Sequence, residues 1–156
     1  WMGEYNAFFS GVIQRQKNRG ANRFFHEQRG LTGAVQIYRK ESLDTMYDIL
    51  ADNGILALVS DQDAKRKGVF VDFFGTQAST PKGAALFHQK SGSPLVFGVC
   101  IQIELHKYRV EFVPVIPKSK SLQDITQAYT TIIEKMIRQY PEQYFWFHRR
   151  WKTKQG

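Results

Sequence analysis

The stretch that most constrains the fold is "ILALVS", residues 55–60, an unbroken apolar run that leads directly into a polar loop. It follows Asn53-Gly54, a pair typical of the end of a helix. A short, continuous apolar run in this position is typical of a strand that is buried on both faces of a parallel sheet. The stretch therefore predicts an α/β domain in which a helix leads into a central strand.

Four segments have the apolar spacing of helices, and they cover residues 6–19, 42–54, 80–92 and 121–140. Ser42 and Thr80 are predicted N-caps, with Pro81 at the first helical position, and Gly20 and Gly92 are predicted stops. The last helix has the clearest apolar stripe, which consists of Ile125, Tyr129, Ile132, Ile133, Met136 and Ile137. Pro141 ends it, because proline cannot continue a helix.

Besides residues 55–60, strand-like composition occurs in residues 33–40, 69–75, 94–105 and 108–115. The last two segments flank His106-Lys107, which predicts a hairpin whose first strand is long and mostly buried. Together, these patterns predict an α/β fold with a mixed, mostly parallel sheet flanked by helices.

Length and charge limit what the chain can do. The 156 residues are enough for one compact domain, and 22 Lys and Arg against 14 Asp and Glu give a net charge of +8. Such a charge favours nucleic acid, phosphorylated lipid, an anionic membrane or an acidic carrier protein as partner. No apolar stretch approaches the roughly 18 residues of a membrane span. Cys100, the only cysteine, is predicted to be a small core residue.

The polar loop after residues 55–60 is the first candidate site. It contains Asp61, Gln62 and Asp63, with the basic residues Lys65, Arg66 and Lys67 behind them. In open α/β sheets ligands bind beyond the carboxyl ends of the strands, so two carboxylates there could hold a cation, a hydroxyl group or an arginine. The alternative is a solvated turn with local charge pairing.

Three phenylalanines, Phe70, Phe73 and Phe74, form the second candidate. They could line an acyl-chain or aromatic pocket, although three aromatic residues in a predicted strand are more often core. His106 and Glu111 match the spacing H-x-x-x-x-E, but on a strand this offset places the two side chains on opposite faces. We therefore interpret that match, like His26 and His88, as structural or solvated.

The third candidate is the C-terminal segment "YPEQYFWFHRRWKTK", residues 140–154. A short helix after Pro141 would align Tyr144, Phe147 or His148, and Trp151 on one side, and leave Arg149 and Arg150 diverging from them. Adjacent arginines suit phosphate, and the aromatic residues suit either a lipid interface or a packed core.

Three blocks taken together, "LADNGILALVSDQD", "GVFVDFFGTQASTPKGAAL" and "YPEQYFWFHRRWKTK", resemble the late acyltransferases of lipid A biosynthesis. This lauroyl/myristoyl transferase family belongs to the lysophospholipid acyltransferase-like superfamily. It is more distantly related to mycobacterial phosphatidylinositol mannoside acyltransferases. The segment "NAFFSGVIQRQKNRG" is also similar to a helix of the family, so the resemblance covers nearly the whole chain.

The resemblance implies an O-acyltransferase with a glycerolipid-acyltransferase-like fold that is incomplete at the N-terminus. It would transfer a fatty acyl group from acyl carrier protein to a hydroxyl of a phosphorylated glucosamine lipid, at the cytoplasmic face of the bacterial inner membrane. The acyl carrier protein thioester would be the donor, with no further cofactor and no metal. The expected partners are acyl carrier protein, the glycolipid and an anionic membrane surface, with no nucleic acid.

The family's general base is the His of an H-x-x-x-x-[DE] motif upstream of the matched region, where a membrane anchor is also expected. The chain begins with Trp1. We therefore expect the C-terminal two-thirds of a single acyltransferase domain, inactive on its own.

The resemblance implies that the loop of Asp61, Gln62 and Asp63 shapes the active site or binds the acceptor, with Asp61 and Asp63 in supporting roles and Gln62 in contact with substrate. Arg66 or Lys67 would contact phosphate of the acceptor or of phosphopantetheine, and the three phenylalanines would border the acyl channel. Arg149 and Arg150 would either hold the charged head group or lock the tail against the Asp61 loop. The alternatives are a nucleic-acid-binding module that uses the basic, aromatic tail, and a lipid-binding homologue without turnover.

Overall fold

The computed structural model describes residues 9–31, 33–39 and 43–155. The chain divides into two compact units, Trp1–Val59 and Ser60–Gly156. The described residues form a mixed α/β structure, as the sequence predicted. That the chain is part of one acyltransferase domain stays a prediction.

The first unit contains a three-stranded parallel sheet. Its strands are β1 (Phe9–Ile13), β2 (Val35–Tyr38) and β3 (Ile55–Ala57), in the order β2-β1-β3. Its helices are α1 (Arg19–Gly30) and α2 (Leu43–Ala51). The predictions of β2 and α2 are confirmed, whereas the predicted cap Ser42 lies outside the described residues.

The helix predicted over residues 6–19 is wrong where the structure describes it, because residues 9–13 form β1. Residues 6–8 lie outside the described part. This strand pairs in parallel with β2 on one side and β3 on the other, so its backbone groups are satisfied by two neighbours. The helix α1 begins only at Arg19, where the side chain of Asn18 accepts a hydrogen bond from the N–H of Ala21. Tertiary pairing therefore overrides the helical spacing of the apolar residues.

The strand predicted over residues 55–60 is real but short, and its burial on both faces is wrong. The strand β3 has three residues, and Ile55 is exposed. Among the described residues it pairs only with β1, at an edge of the sheet. An edge strand has no neighbour on its second side and pairs only as far as its one partner allows.

The second unit begins with a hairpin that the sequence predicted only in half. Its strands are β4 (Val69–Phe73), which was predicted, and β5 (Thr76–Thr80), which was missed. Phe74 and Gly75 connect them with positive φ angles of 56° and 75°, as a two-residue hairpin turn of type I′ requires. Thr80 pairs with Val69 as the last residue of β5, so its prediction as a helix cap is wrong. The next helix, α3 (Gly83–Ser91), begins three residues later.

A second hairpin follows, as predicted, from β6 (Val96–Glu104) and β7 (Lys107–Pro114). His106 lies in its turn with a φ of 62°. The predicted burial of β6 is wrong, because alternate residues of this strand face solvent. Cys100 is among them and is therefore exposed rather than part of the core.

The long helix α4 (Leu122–Gln139) forms as predicted. The side chain of Ser121 caps it by accepting a hydrogen bond from the N–H of Asp124. The buried face of α4 packs against β4. Around this contact lies a core cluster of Phe73, Ala78 and Ile137, with Phe74, Ile133, Tyr144 and Trp151 against it.

In place of the predicted mixed, mostly parallel sheet, the part of the chain that the structure describes forms one small parallel sheet and two antiparallel hairpins. The mixed α/β class is thus confirmed, while the glycerolipid-acyltransferase-like fold stays an expectation. Among the helices that the structure describes, none is both long and apolar enough to cross a membrane.

Candidate functional site in the C-terminal segment

The C-terminal segment does not form the helix predicted after Pro141. A short 3-10 helix covers Pro141–Gln143, and the chain then proceeds through successive turns. These turns are closed by backbone hydrogen bonds, including Trp146 N–H to Tyr144 O at 2.9 Å and Arg150 N–H to His148 O at 2.8 Å. The turns direct some aromatic side chains into the core and leave others in solvent.

Arg150 and Trp151 attach this segment to the first hairpin. The guanidinium of Arg150, a residue only 2% exposed, donates through Nη1 to Ser79 O at 2.8 Å and through Nη2 to Thr80 Oγ1. It lies 5.1 Å from the ring centroid of Phe73. The indole of Trp151 stacks on the same ring and donates through Nε1 to Phe73 O at 3.2 Å. The segment is therefore fixed to β4 and β5 by polar and aromatic contacts together.

Burial and nearby charges act on Arg150 in opposite directions. Burial lowers the pKa of Arg150, while Tyr144, Asp63 and Asp61 favour its charged form. Two buried polar atoms in this neighbourhood, Arg150 Nε and Asp61 Oδ1, have no hydrogen-bond partner among the described residues. They are a donor and an acceptor, so a small hydroxylic molecule could satisfy either of them.

Asp63 connects the acidic loop to the C-terminal segment. Its backbone N–H donates to His148 Nε2 at 2.8 Å, and its Oδ2 accepts from Thr153 Oγ1 at 2.9 Å. Oδ2 also accepts from the N–H of Lys65 at 3.1 Å. An imidazole nitrogen that accepts an N–H must carry a free lone pair, so this bond specifies the His148 tautomer with its proton on Nδ1. We call these contacts the Asp63 clamp.

An open cleft of about 410 Å³ lies beside the Asp63 clamp. Its lining combines positive charge with aromatic surface and consists of Asp63, Lys65, Phe145, Phe147, His148, Arg149 and Lys152. Both carboxylate oxygens of Asp63 already accept hydrogen bonds, from Thr153 and Lys65. Lys65, Arg149 and Lys152 outnumber the one carboxylate, so the cleft has a net positive charge. Such a cleft suits an anionic group on an apolar molecule.

The structure brings together only some of the residues that the sequence singled out. Asp61, Asp63, Arg149 and Arg150 lie at or near the clamp. Gln62, Arg66 and Lys67 are exposed, and Lys65 lines the cleft in place of its two basic neighbours. Among the three phenylalanines, Phe73 is core, while Phe70 and Phe74 are partly buried. The roles assigned to these residues in binding substrate stay predictions.

Sequence reasoning did not assign functional roles to Lys152, Thr153 or Ser79, and among the basic residues behind the acidic loop it singled out Arg66 and Lys67 rather than Lys65. In the clamp, His148 and Thr153 lie 85 and 90 residues after Asp63 in the chain. No local spacing links residues so far apart. A usable signal was the position of His148 directly before the two arginines in the most specific sequence block.

Within residues 9–31, 33–39 and 43–155, no group of three or more His, Cys, Asp or Glu side chains could hold a metal ion. The cleft itself contributes a single carboxylate and a single imidazole. Three of its seven lining side chains are cations, and ammonium and guanidinium groups do not ligate metals.

The chain is similar in sequence to bacterial acyltransferases. Over 98 residues it is 34% identical to the lipid A biosynthesis palmitoleoyltransferase of Escherichia coli (strain K12), covering 60% of this chain and 32% of that protein. The lipid A biosynthesis acyltransferase of Shigella flexneri is similar to the same extent. The phosphatidylinositol mannoside acyltransferase of Mycolicibacterium smegmatis is 27% identical over 156 residues, which are 97% of this chain and 51% of that protein. The chain thus spans about a third to a half of the length of these relatives.

The family described as bacterial lipid A biosynthesis acyltransferase matches residues 1–153, nearly the whole chain. This match includes both the acidic loop and the C-terminal segment that the Asp63 clamp joins. It confirms the resemblance that the three sequence blocks predicted. The chain belongs to the bacterial lipid A biosynthesis acyltransferase family.

Proposed function

We propose that the whole protein transfers a fatty acyl group from acyl carrier protein to a hydroxyl of a phosphorylated glucosamine lipid, a precursor of lipid A. Family membership supports acyl transfer in lipid A or glycolipid biosynthesis. The observation that carries the proposal for this chain is the cleft beside the Asp63 clamp. It joins three cations to aromatic side chains within the segment that matches the family.

The reaction requires a base, an oriented hydroxyl and stabilisation of the thioester oxygen. The acceptor oxygen attacks the thioester carbon and loses its proton to an imidazole. The carbon–sulfur bond then breaks, and the thiolate of the carrier takes up a proton. We place this imidazole in the H-x-x-x-x-[DE] motif that the family resemblance implies upstream, and assign no general base to the described residues. His148 is a poor choice because its Nε2 already accepts the N–H of Asp63.

The cations of the cleft would bind the anionic part of the acceptor. Arg149 is exposed and lines the cleft together with Lys65 and Lys152, so its guanidinium can offer paired donors to a phosphate. The sequence left two roles open for Arg150, binding the head group or locking the tail against the Asp61 loop. Its hydrogen bonds instead fix the tail to Ser79 and Thr80 of β5, which supports a positioning role. In this proposal Arg149 binds substrate and Arg150 is a positioning residue.

The exposed Arg66 and Lys67 lie in a short 3-10 helix, Lys65–Lys67, next to the acidic loop. We assign them to contact with the acidic carrier protein or its phosphopantetheine, because exposed cations speed the encounter with an acidic partner. The reaction would take place at the cytoplasmic face of the bacterial inner membrane, where the lipid acceptor is held.

The test is acyl transfer by the full-length protein from acyl carrier protein to a lipid A precursor, followed by mass spectrometry of the product. We expect Asp61→Ala or Arg149→Ala to reduce kcat/KM by about tenfold or more. For Arg149→Ala the loss should fall mainly on KM for the acceptor. Lys118→Ala removes an exposed cation away from the cleft and serves as the matched control.

The proposal predicts a further result in cells. Mass spectrometry of lipid A with and without the gene should differ by one acyl chain per molecule. Full activity in both the Asp61 and Arg149 variants would refute the roles proposed for these two residues. Failure of the full-length protein to transfer any acyl group to the acceptor would overturn the proposed reaction.

A further inference from the structure

Two phenylalanines stand out from the C-terminal segment into solvent. Phe145 is 62% exposed and Phe147 is 91% exposed, and their ring centroids lie 5.9 Å apart. We call residues 145–147 the aromatic loop. Large apolar side chains that project together from a surface usually mark an interaction site, because apolar side chains left in water do not stabilise the fold.

The aromatic loop is held in this shape by the residue between the two rings. Trp146 turns the other way, lies 4.9 Å from the ring of Tyr144 and donates through Nε1 to Pro141 O at 2.6 Å. The N–H of His148 donates to Phe145 O at 3.2 Å and closes the next turn. Phe145 and Phe147 are therefore presented by a fixed backbone, so little conformational entropy is lost when they bind.

Positive charge surrounds the aromatic loop. Lys65, Arg149 and Lys152 line the same cleft as the two phenylalanines, and within the described part of the chain none of these three cations is paired with a carboxylate. Projecting aromatic rings flanked by unpaired cations match the interface of an anionic bilayer. Its head groups are negative at the surface, and aromatic rings are favoured just below them.

We propose that the aromatic loop docks this unit onto an anionic lipid bilayer, with Phe145 and Phe147 in the interface and the surrounding cations on the head groups. This inference deepens the proposed function, because it names the surface by which the site would reach an acceptor held in a membrane. It can be tested without acyl transfer.

The geometry favours a bilayer over a single-stranded nucleic acid, which basic and aromatic residues also attract. The rings of Phe145 and Phe147 are inclined to each other by 51°. They do not offer parallel faces between which a base could stack. An interface of lipid chains needs no parallel faces, since it accepts apolar side chains of any orientation.

The experiment is sedimentation of the 156-residue chain with vesicles made of about one third phosphatidylglycerol and two thirds phosphatidylcholine, beside vesicles of phosphatidylcholine alone. We expect binding to the anionic vesicles that weakens as salt rises. The double variant Phe145→Ser/Phe147→Ser should lower the partition coefficient by about tenfold or more. Each basic residue near such a surface contributes roughly a fivefold factor, so Arg149→Gln/Lys152→Gln should have a comparable effect.

The chain offers a control site with one exposed apolar side chain and two exposed cations. Ile116 is 84% exposed and lies next to the exposed Lys118 and Lys120. Ile116→Ser and Lys118→Gln/Lys120→Gln remove an equally exposed apolar side chain and the same charge away from the aromatic loop. Circular dichroism of all variants verifies the fold, which the changes at exposed residues should leave intact.

The docking proposal is overturned if the aromatic variant binds anionic vesicles like the wild type, or if the control variants lose as much binding. It is also overturned if a single-stranded oligonucleotide binds more tightly at physiological salt and displaces the vesicles. Vesicle binding with the expected variant pattern, in a full-length protein that transfers no acyl group, would support docking and refute the proposed reaction. The two proposals therefore fail separately.

Discussion

The two hairpins of residues 60–156 have the same topology and opposite environments. In the β4–β5 hairpin, Phe73 is 1% exposed and Ala78 and Ser79 are fully buried. In the β6–β7 hairpin, Phe112 is 52% exposed and the face it shares with Val96, Cys100 and Val110 is in solvent. The difference comes from the neighbours, because α4 packs against β4 while Arg150 and Trp151 bind the first hairpin.

The comparison shows that a strand's own composition does not decide its burial. The strand β5, "TQAST", is polar and ends in three fully buried residues, whereas β6 is rich in apolar residues and half exposed. Buried polar groups need partners. The C-terminal segment supplies them, since Arg150 binds Ser79 and Thr80 directly.

The largest difference in stability should appear when a buried ring is truncated in the first hairpin and an exposed ring is truncated in the second. Phe73→Ala removes a ring packed on Ala78, Ile137 and Trp151 and should cost about 3–5 kcal/mol of the free energy of unfolding. Phe112→Ala should cost less than about 1 kcal/mol, because half of that ring is already in water. Urea denaturation of the 156-residue chain measures both, and equal costs would contradict the difference between the hairpins.

A smaller effect should distinguish the two adjacent arginines. Arg150→Met leaves Ser79 O and Thr80 Oγ1 without their charged donor and should lower the free energy of unfolding by about 2–4 kcal/mol. Arg149→Met should change it by less than about 0.5 kcal/mol, since Arg149 is exposed. Arg150→Lys should not restore stability, because an ammonium cannot reproduce the paired donors of the guanidinium. Thermal denaturation followed by circular dichroism measures all three variants. Equal losses in Arg149→Met and Arg150→Met, or wild-type stability in Arg150→Lys, would contradict the prediction.

Glu134 should contribute about 1 kcal/mol to the free energy of unfolding, and this contribution should depend on pH. Burial opposes ionisation of Glu134, but the N–H of Phe74 and the guanidinium of Arg138 outweigh it and lower its pKa below the ordinary value of 4.5. The ionised form is therefore favoured in the folded state. Its contribution is present above the unfolded pKa and is lost as pH falls through the lower folded pKa.

Glu134→Gln should accordingly be less stable than the wild type at neutral pH, and the difference in stability should close in acid, as pH falls below the ordinary pKa of 4.5 and through the lower folded value. Glu104→Gln in the β6–β7 hairpin is the control. Glu104 pairs with Lys107 at 2.6 Å, but both side chains are more than half exposed, so its loss should hardly matter at any pH. A gap between Glu134→Gln and wild type that persists unchanged in acid would disprove the linkage.

The smallest effect tests exposure through the reactivity of a thiol in each hairpin. Cys100 on β6 should react with a maleimide in the native protein at nearly the rate of an unfolded chain, because it is exposed. In the variant Cys100→Ser/Ser79→Cys, the new thiol lies in the buried β5 and should react only when the protein unfolds. Mass spectrometry of the labelled protein follows both rates, and protection of Cys100 in the native state would show that the second hairpin is covered.

Much of the local structure could be predicted from the sequence. The helix α4 has a capping Ser121, an apolar stripe and a terminating Pro141, and each of these signals lies within its own segment. The β6–β7 hairpin was likewise indicated by two apolar runs around a short turn. Predictions were wrong for β1, which pairs with two distant strands, and for Thr80, which pairs with Val69.

The candidate site was predicted in its composition and not in its arrangement. The acidic loop and the basic, aromatic tail were both identified from their residues. Their connection through Asp63, His148 and Thr153 was not, because these contacts span 85 and 90 residues. Lys65 lines the cleft, whereas Arg66 and Lys67 of the same short 3-10 helix do not.

By itself, the sequence determined the family, the mixed α/β class, most of the helices and the basic, aromatic composition of the C-terminal segment. These are properties of short segments, since residue spacing, caps and motifs act over a few residues. Only the tertiary structure decided that Arg150 is buried while Arg149 lies in the cleft, and that one hairpin is core while the other faces solvent. Burial and hydrogen bonding depend on which surfaces meet, and that choice is made by segments far apart in the chain.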